Sequence, residues 1–340
     1  MRLRGVWRLS ALVLVLGLAA PASATNVQDI ANNVSLDSYT AYLDNHLYTH
    51  NGDSRGFDVS GSPRYPAGDH DSARDYIYSQ FASFGLTTTL DPFSFTSGGH
   101  TYLGASNVIG VKTGKTRPGD IYILGAHYDS VQNPGADDNA SGVAGVLEAA
   151  RVLSQYQFDA TLVFAAFDGE EKWMCGSTHY AADAAGQNIL GMVSLDMLAY
   201  NPAGAHHDKA YIYGRDASNT IKQALASAMT TYSGGITPEV GGDTPYSDHA
   251  PFEAQGWQAC LLIEHAVWNN PNYHTQADSA DTVGYLDYAY ATGMTRSAVA
   301  YAAGAAGIVP EPATLLMLTV GALALAARGR RGRMSPSRLR

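Results

Sequence analysis

Three apolar runs in this 340-residue chain end in the same way. Ile121–Ala126 runs into His127, Thr161–Phe167 into Asp168-Gly169-Glu170-Glu171, and Ile189–Leu195 into Asp196. Short apolar runs of this kind read as strands buried on both faces. Such strands need helices on either side, and the intervening segments supply them. Gly142–Leu153 is an apolar helix, Thr178–Ala185 is helical, and Asn219–Tyr232 opens at a Ser218 or Asn219 cap. In open α/β sheets, sites form beyond the carboxyl ends of strands. Three strands that each deliver polar residues to one edge are hard to obtain by chance.

The remaining pattern fits the same class. Val27–His50 is mixed and helical in character, and Ser72–Phe84 is a helix stopped by Gly85. Thr87–Phe95, Asn107–Val111, Tyr211–Tyr213 and Gln258–Ile263 read as strands, and Tyr285–Ala303 as a long C-terminal helix. Gly304–Gly307 reads as a linker. The expected fold is a single α/β domain with a central mixed, mostly parallel twisted sheet and helices on both faces.

The two ends read as targeting segments. Arg2, Arg4 and Arg8 precede the apolar run Ala11–Ala20, and Ala22-Ser23-Ala24 is a small-residue cleavage site. Residues 1–24 are therefore expected to be a signal peptide, 25–304 the folded domain, and 305–340 a linker with a sorting tail. The tail holds Val309-Pro310-Glu311-Pro312, the apolar segment Ala313–Ala327, and Arg328, Arg330, Arg331 and Arg333. An apolar helix followed by arginines predicts a transmembrane helix with a cytoplasmic basic end.

Setting the ends aside changes the charge. The chain has 21 basic and 31 acidic residues; without the leader's three Arg, the tail's six Arg and Glu311, 12 basic and 30 acidic residues remain, a formal −18. Such a body repels nucleic acid, and bound divalent cations would offset part of the excess. Cys175 and Cys260 could pair in an exported protein, but two cysteines are too few for a disulfide scaffold.

Five residues have metal-ligand chemistry: His127, Asp138, Glu171, Asp196 and His274. Two imidazoles and three carboxylates suit a pair of zinc ions, with Glu170 beside Glu171 as a general base. Asp138 lies in Pro134-Gly135-Ala136-Asp137-Asp138-Asn139-Ala140-Ser141-Gly142, where capping acids explain one Asp but not the whole string. Asp129 is placed to support a ligand from outside the metal shell.

His127-Tyr128-Asp129-Ser130, the Asp138 string, Glu170-Glu171, Leu195-Asp196-Met197 and Tyr273-His274-Thr275 occur in an order that resembles the co-catalytic zinc aminopeptidase family. That family includes secreted bacterial leucyl aminopeptidases, aminopeptidase Y and glutamate carboxypeptidase. The resemblance spans roughly residues 72 to 303 and extends to Ser247-Asp248-His249-Ala250. It implies the zinc-exopeptidase fold and two Zn²⁺ ions, with Asp138 bridging, His127 and Asp196 on one metal, and Glu171 and His274 on the other. It further implies Glu170 as base, Asp129 behind His127, and a cis peptide between Asp138 and Asn139. The tail likewise resembles the PEP-CTERM signal of Gram-negative bacteria. That implies recognition by exosortase-type machinery and delivery to the cell surface or medium, from a precursor anchored in the inner membrane by its C-terminal helix.

The expected function is an exported zinc aminopeptidase acting on peptides, with a monomeric body. The alternatives are a carboxypeptidase, a glutaminyl cyclase-like enzyme, or a surface protein without catalysis. Lys172-Trp173-Met174-Cys175 departs from the family pattern after Glu-Glu. Trp173, Met197, Trp268 and Tyr273 are candidates to line an apolar pocket, and Tyr246 to donate to the oxyanion.

Overall fold

A computed structural model of the chain describes residues 25–47 and 68–310. The elements, in chain order, are α1 (Val27–Ala31), α2 (Leu36–Tyr42), α3 (Gly68–Ser83), β1 (Thr87–Ser97), β2 (His100–Lys112), β3 (Arg117–His127), α4 (Gly142–Leu153), β4 (Ala160–Phe167), α5 (Cys175–Asp183), β5 (Asn188–Asp196), β6 (Lys209–Tyr213), α6 (Asn219–Tyr232), β7 (Thr237–Val240), α7 (His249–Ala254), β8 (Ala259–Glu264) and α8 (Tyr288–Ala306). The strands form one sheet of eight in the order β1-β2-β4-β3-β5-β8-β6-β7. The β4-β3-β5-β8 centre is parallel throughout. The β1–β2, β2–β4 and β6–β8 pairs are antiparallel, so the sheet is mixed.

Alternation along the central strands divides the core in two. On β4, Leu162, Phe164 and Ala166 join the larger apolar cluster with α4, α6 and α8, while Val163, Ala165 and Phe167 join a smaller one with Phe252 of α7 and Ala181 of α5. Every residue of β4 is buried, as expected for a strand covered on both sides. Truncating a core residue such as Phe164 to alanine would cost about 3–5 kcal/mol. The outer strand β1 carries Pro92 and a register shift at Phe93/Ser94, features that keep an edge from pairing further.

Several boundaries differ from the sequence reading for local reasons. Asp287 caps α8 by accepting the Tyr290 N–H at 2.9 Å, so the helix starts at Tyr288 rather than Tyr285. It runs through Gly304 to Ala306, so the expected linker is mostly helix. Ile308 then pairs with Phe158, and the Val309 N–H reaches Gln157 O at 2.8 Å. The short elements β7 and α7 had no counterpart in the sequence reading. Cys175 and Cys260 do not pair; both are free.

The expectation of a transmembrane helix is corrected. Among the described residues, no helix is long and apolar enough to cross a membrane. The segment Ala313–Ala327 lies outside the described residues, as do the leader 1–24 and the rest of the tail.

Candidate metal centre

His127 ends β3 at the middle of the sheet. Its Nδ1 lies 3.0 Å from the main-chain oxygen of Asp129, which can only accept, so Nδ1 carries the proton. Nε2 is left facing Asp138 Oδ1 at 3.3 Å and Asp196 Oδ1 at 3.6 Å. The other oxygen of Asp138 faces His274 Nε2 at 3.0 Å, and Glu171 Oε2 lies 3.2 Å from the same nitrogen. The five expected ligand residues thus form two donor groups, His127–Asp138–Asp196 and Asp138–Glu171–His274, with Asp138 common to both. The donor atoms within each group lie within 4.8 Å of one another.

Backbone geometry aims these side chains. The Asp138–Asn139 peptide is cis, as the resemblance implied. Asp278 accepts the N–H of Asp137 at 2.7 Å and of Asp138 at 3.2 Å, one on each carboxylate oxygen. Asn139 donates to Leu195 O at 2.9 Å and accepts from Gly142 N. A Cβ on Gly142 would fall 2.2 Å from both Asn139 Oδ1 and Leu195 O. The small residues of the Asp138 string therefore let this turn press against the end of β5. Of the five non-glycine residues with positive φ among the described residues, Met197 and His274 line the centre, and Trp173 and Met174 follow Glu171 in the chain.

The supporting residues are partly other than expected. Asp129 does not bond His127 through its carboxylate, which is 3.6 Å from Nδ1. Its two oxygens accept the N–H groups of Glu170 (3.0 Å) and Glu171 (3.2 Å), so it holds the loop that bears both acids. Ser247 donates to Asp196 Oδ2 at 2.7 Å. Beneath the Glu-Glu loop, Asp168 pairs with His70 Nε2 at 2.8 Å and accepts from Ser106 N and Tyr128 OH, each at 2.9 Å. Asp137 accepts from Ala199 N and from Asn270, which also donates to Glu264. The sequence offered only adjacency as a signal for Asp137, Asp168 and Asp278; nothing in it pointed to His70, Glu264 or Asn270.

The charge balance fits a cation. Burial by itself lowers the His127 pKa, but Glu170, Asp129, Asp138 and Asp196 outweigh it and hold the imidazole well above its ordinary value. Burial likewise opposes a charged His274, yet hydrogen bonds to Asp138 and Glu171 raise it to about 10. Burial and Asp138 push Glu171 up to about 7 against the pull of the two histidines. Burial raises Glu170 well above the carboxylate range; His127 opposes, while Asp248, Glu171 and Asp196 add to the rise. Asp138 is the exception: burial would raise it, but hydrogen bonds from both histidines and their charge hold it well below. Imidazoles that hold protons only because carboxylates crowd them would give those protons up to a metal.

The cavity over the centre holds about 200 Å³. Met197, Tyr246, Trp268 and Tyr273 line it, together with Tyr213, Thr244, Leu261, Ile263 and Val267, which the sequence reading did not single out. Trp173 is not among its lining residues and stands 76% exposed. His249, in the Ser247–Ala250 segment of the resemblance, is fully buried. His206 is half-buried, with its Nδ1 2.7 Å from His265 Nδ1.

An α/β sheet that brings two imidazoles and three carboxylates together beyond its parallel strands defines a metallohydrolase of the exopeptidase type. Residues 107–299, more than half of the chain, match Peptidase family M28, and the chain belongs to that family. It is a metallopeptidase, as the ligand set led us to expect. Residues 309–331 match the PEP-CTERM protein-sorting motif. Among related sequences, "Uncharacterized protein YfbL" of Escherichia coli is 29% identical over 62% of this chain and 74% of its own length. Aminopeptidase YwaD of Bacillus subtilis is 32% identical over 53% of this chain and 40% of its own length, so the match spans less than half of that enzyme. Among solved structures, an aminopeptidase from Aneurinibacillus shares the fold with a TM-score of 0.68 and 21% identity, over 84% of this chain and 98% of its own. A glutaminyl cyclase from Porphyromonas gingivalis shares it with a TM-score of 0.64 and 20% identity, over 80% and 98%.

Proposed function

We propose that this chain is an exported aminopeptidase that removes N-terminal residues from peptides, with two zinc ions and a glutamate base. The observation that carries the reading is Asp138, whose two oxygens face two different imidazoles and so join the two donor groups. His127, Asp138 and Asp196 would hold one ion, and Asp138, Glu171 and His274 the other. When bound, the pair would supply the Lewis acidity that makes a water nucleophilic and a peptide carbonyl electrophilic.

The chain's own residues then have defined tasks. Glu170 takes a proton from the attacking water and returns it to the leaving amine nitrogen. Asp129 keeps Glu170 in place through its backbone N–H. Tyr246, on the cavity wall, donates its phenolic proton in a hydrogen bond to the carbonyl oxygen as charge develops. Among the described residues that line the cavity there is no Lys or Arg. A free α-amine would meet carboxylates there, whereas a C-terminal carboxylate would meet no cation. This favours an aminopeptidase over a carboxypeptidase, and the relatedness to YwaD agrees.

The leader and the sorting motif support export, with exosortase-type machinery acting on the tail. The metal follows from the donor set, and relatives include probable zinc metalloproteases of Pyrenophora. The test is metal analysis of the purified body alongside leucinamide, free peptides and N-acetylated peptides, with and without chelator. Two zinc equivalents and chelator-sensitive release of unblocked N-terminal residues are expected. Equal turnover of blocked and free peptides would refute the aminopeptidase reading, and a single equivalent the two-ion one.

A further inference from the structure

The five exposed aromatic side chains among the described residues are unevenly placed. Four of them, Trp173, Tyr246, Trp268 and Tyr273, lie on loops around the metal centre. Tyr246, Trp268 and Tyr273 line the cavity, and Trp173 does not. The strand order gives the reason. The apolar wall comes from the ends of β5, β6 and β8, which lie to one side of β3 and His127. Trp173 follows β4, on the other side of β3. The aromatic that stays outside the cavity is therefore on the opposite flank of the ligands.

The turn that carries it is unusual. Gly169, Trp173 and Met174 all have left-handed backbone, a conformation bulky residues rarely adopt. The Met174 N–H to Glu170 O (2.8 Å) and Cys175 N–H to Gly169 O (2.9 Å) hydrogen bonds close the turn. The result sets an indole in solvent two residues beyond Glu171. Glu170 and Glu171 line the cavity, and Trp173 follows them directly in the chain on the flank away from the apolar wall.

We propose that Trp173 is the platform for the peptide beyond the scissile bond, and that it selects apolar or aromatic side chains at the second residue. The proposal rests on the aminopeptidase reading. An indole offers stacking area at low entropic cost, and an exposed one beside a reactive centre has a ready use for it. The preferred substrates are then peptides of three or more residues with a bulky second residue, rather than amides or glycine-rich peptides.

Metal-loaded enzyme is compared on leucinamide, Leu-Gly-Gly and Leu-Phe-Gly, in the wild type, Trp173→Ala, Trp173→Phe and Trp268→Ala. In Trp173→Ala, kcat/KM should fall about tenfold on Leu-Phe-Gly, carried by KM, and by progressively less on Leu-Gly-Gly and leucinamide. Trp173→Phe should recover most of the loss. Trp268→Ala, on the first-residue flank, should lower all three alike. An equal loss on all three substrates in Trp173→Ala, or no loss on Leu-Phe-Gly, overturns the role of Trp173 and leaves the aminopeptidase reading standing. A wild type that releases leucine from none of the three sinks both.

Discussion

His127 and His274 present the same nitrogen to the same carboxylate, yet their side chains are 1% and 36% exposed. His127 ends a central strand, its ring is fixed by a main-chain oxygen, and its partners Asp138 and Asp196 are buried. His274 lies on a loop at φ 57°, its ring stacked on Tyr273 with centroids 3.8 Å apart. One donor group is set by the sheet, the other by loops over it. A centre of this kind can hold a fixed geometry on one side and remain open to substrate and solvent on the other. Asp138 belongs to both, and Asp278, which follows His274 in sequence, holds its backbone from below.

The largest effect should come from the residue the two groups share. Asp138→Ala is expected to lower kcat/KM on the order of 10⁴-fold and to leave less than one metal equivalent. Retention of two equivalents would mean that the groups are independent. Glu170→Gln separates chemistry from metal binding. Both metals should stay while kcat falls about 10³-fold, and near-normal turnover would remove Glu170 from its role.

The buried histidine that opens α7 adds a pH signature. Burial lowers the pKa of His249 from its ordinary 6.5 to about 4. The unfolded chain therefore takes up this proton first as pH falls. The stability due to a neutral His249 is complete above about pH 6.5 and is lost towards pH 4, a difference of about 3 kcal/mol. Urea melts of the wild type and His249→Gln across this window should converge at low pH; parallel curves would contradict the assignment. The smallest effect tests the comparison itself. In excess chelator, His127→Ala should cost about 2 kcal/mol of stability and His274→Ala less than about 1, because only the first empties a packed position. Equal losses would erase the distinction between the two halves.

His127, Glu171 and Asp196 were legible because strand ends are legible, whereas Asp138 and His274 were read from the motifs around them. Ile121–Ala126 and Ile189–Leu195 are broken by the donors His127 and Asp196 themselves, and Thr161–Phe167 by a polar segment that reaches Glu171 four residues on. α4 and α6 have the bounds their periodicity predicted. The 4-residue β7 and 6-residue α7 were not legible, because so few residues carry no period. Nor was the role of Asp129. Its distance of two from His127 left open a contact with the ring or a hold on a nearby group, and the carboxylate takes the second, on the backbone of a loop that follows a different strand. His70 and Glu264 were out of reach for the same reason, since His70 meets Asp168 and Glu264 accepts the Tyr200 N–H, both far away in sequence.

By itself, the sequence determined the α/β class and singled out the five residues that the fold brings into two groups, together with the sorting motif at residues 309–331. These follow from local patterns: apolar runs, the residues that interrupt them, and the charge of short segments. Tertiary structure decided which donors share a group, that one group is buried and the other open, and that Trp173 stands on the flank opposite the apolar wall. Strand order does not follow chain order in this sheet, so a residue's place along the chain cannot tell which side of the centre it will occupy.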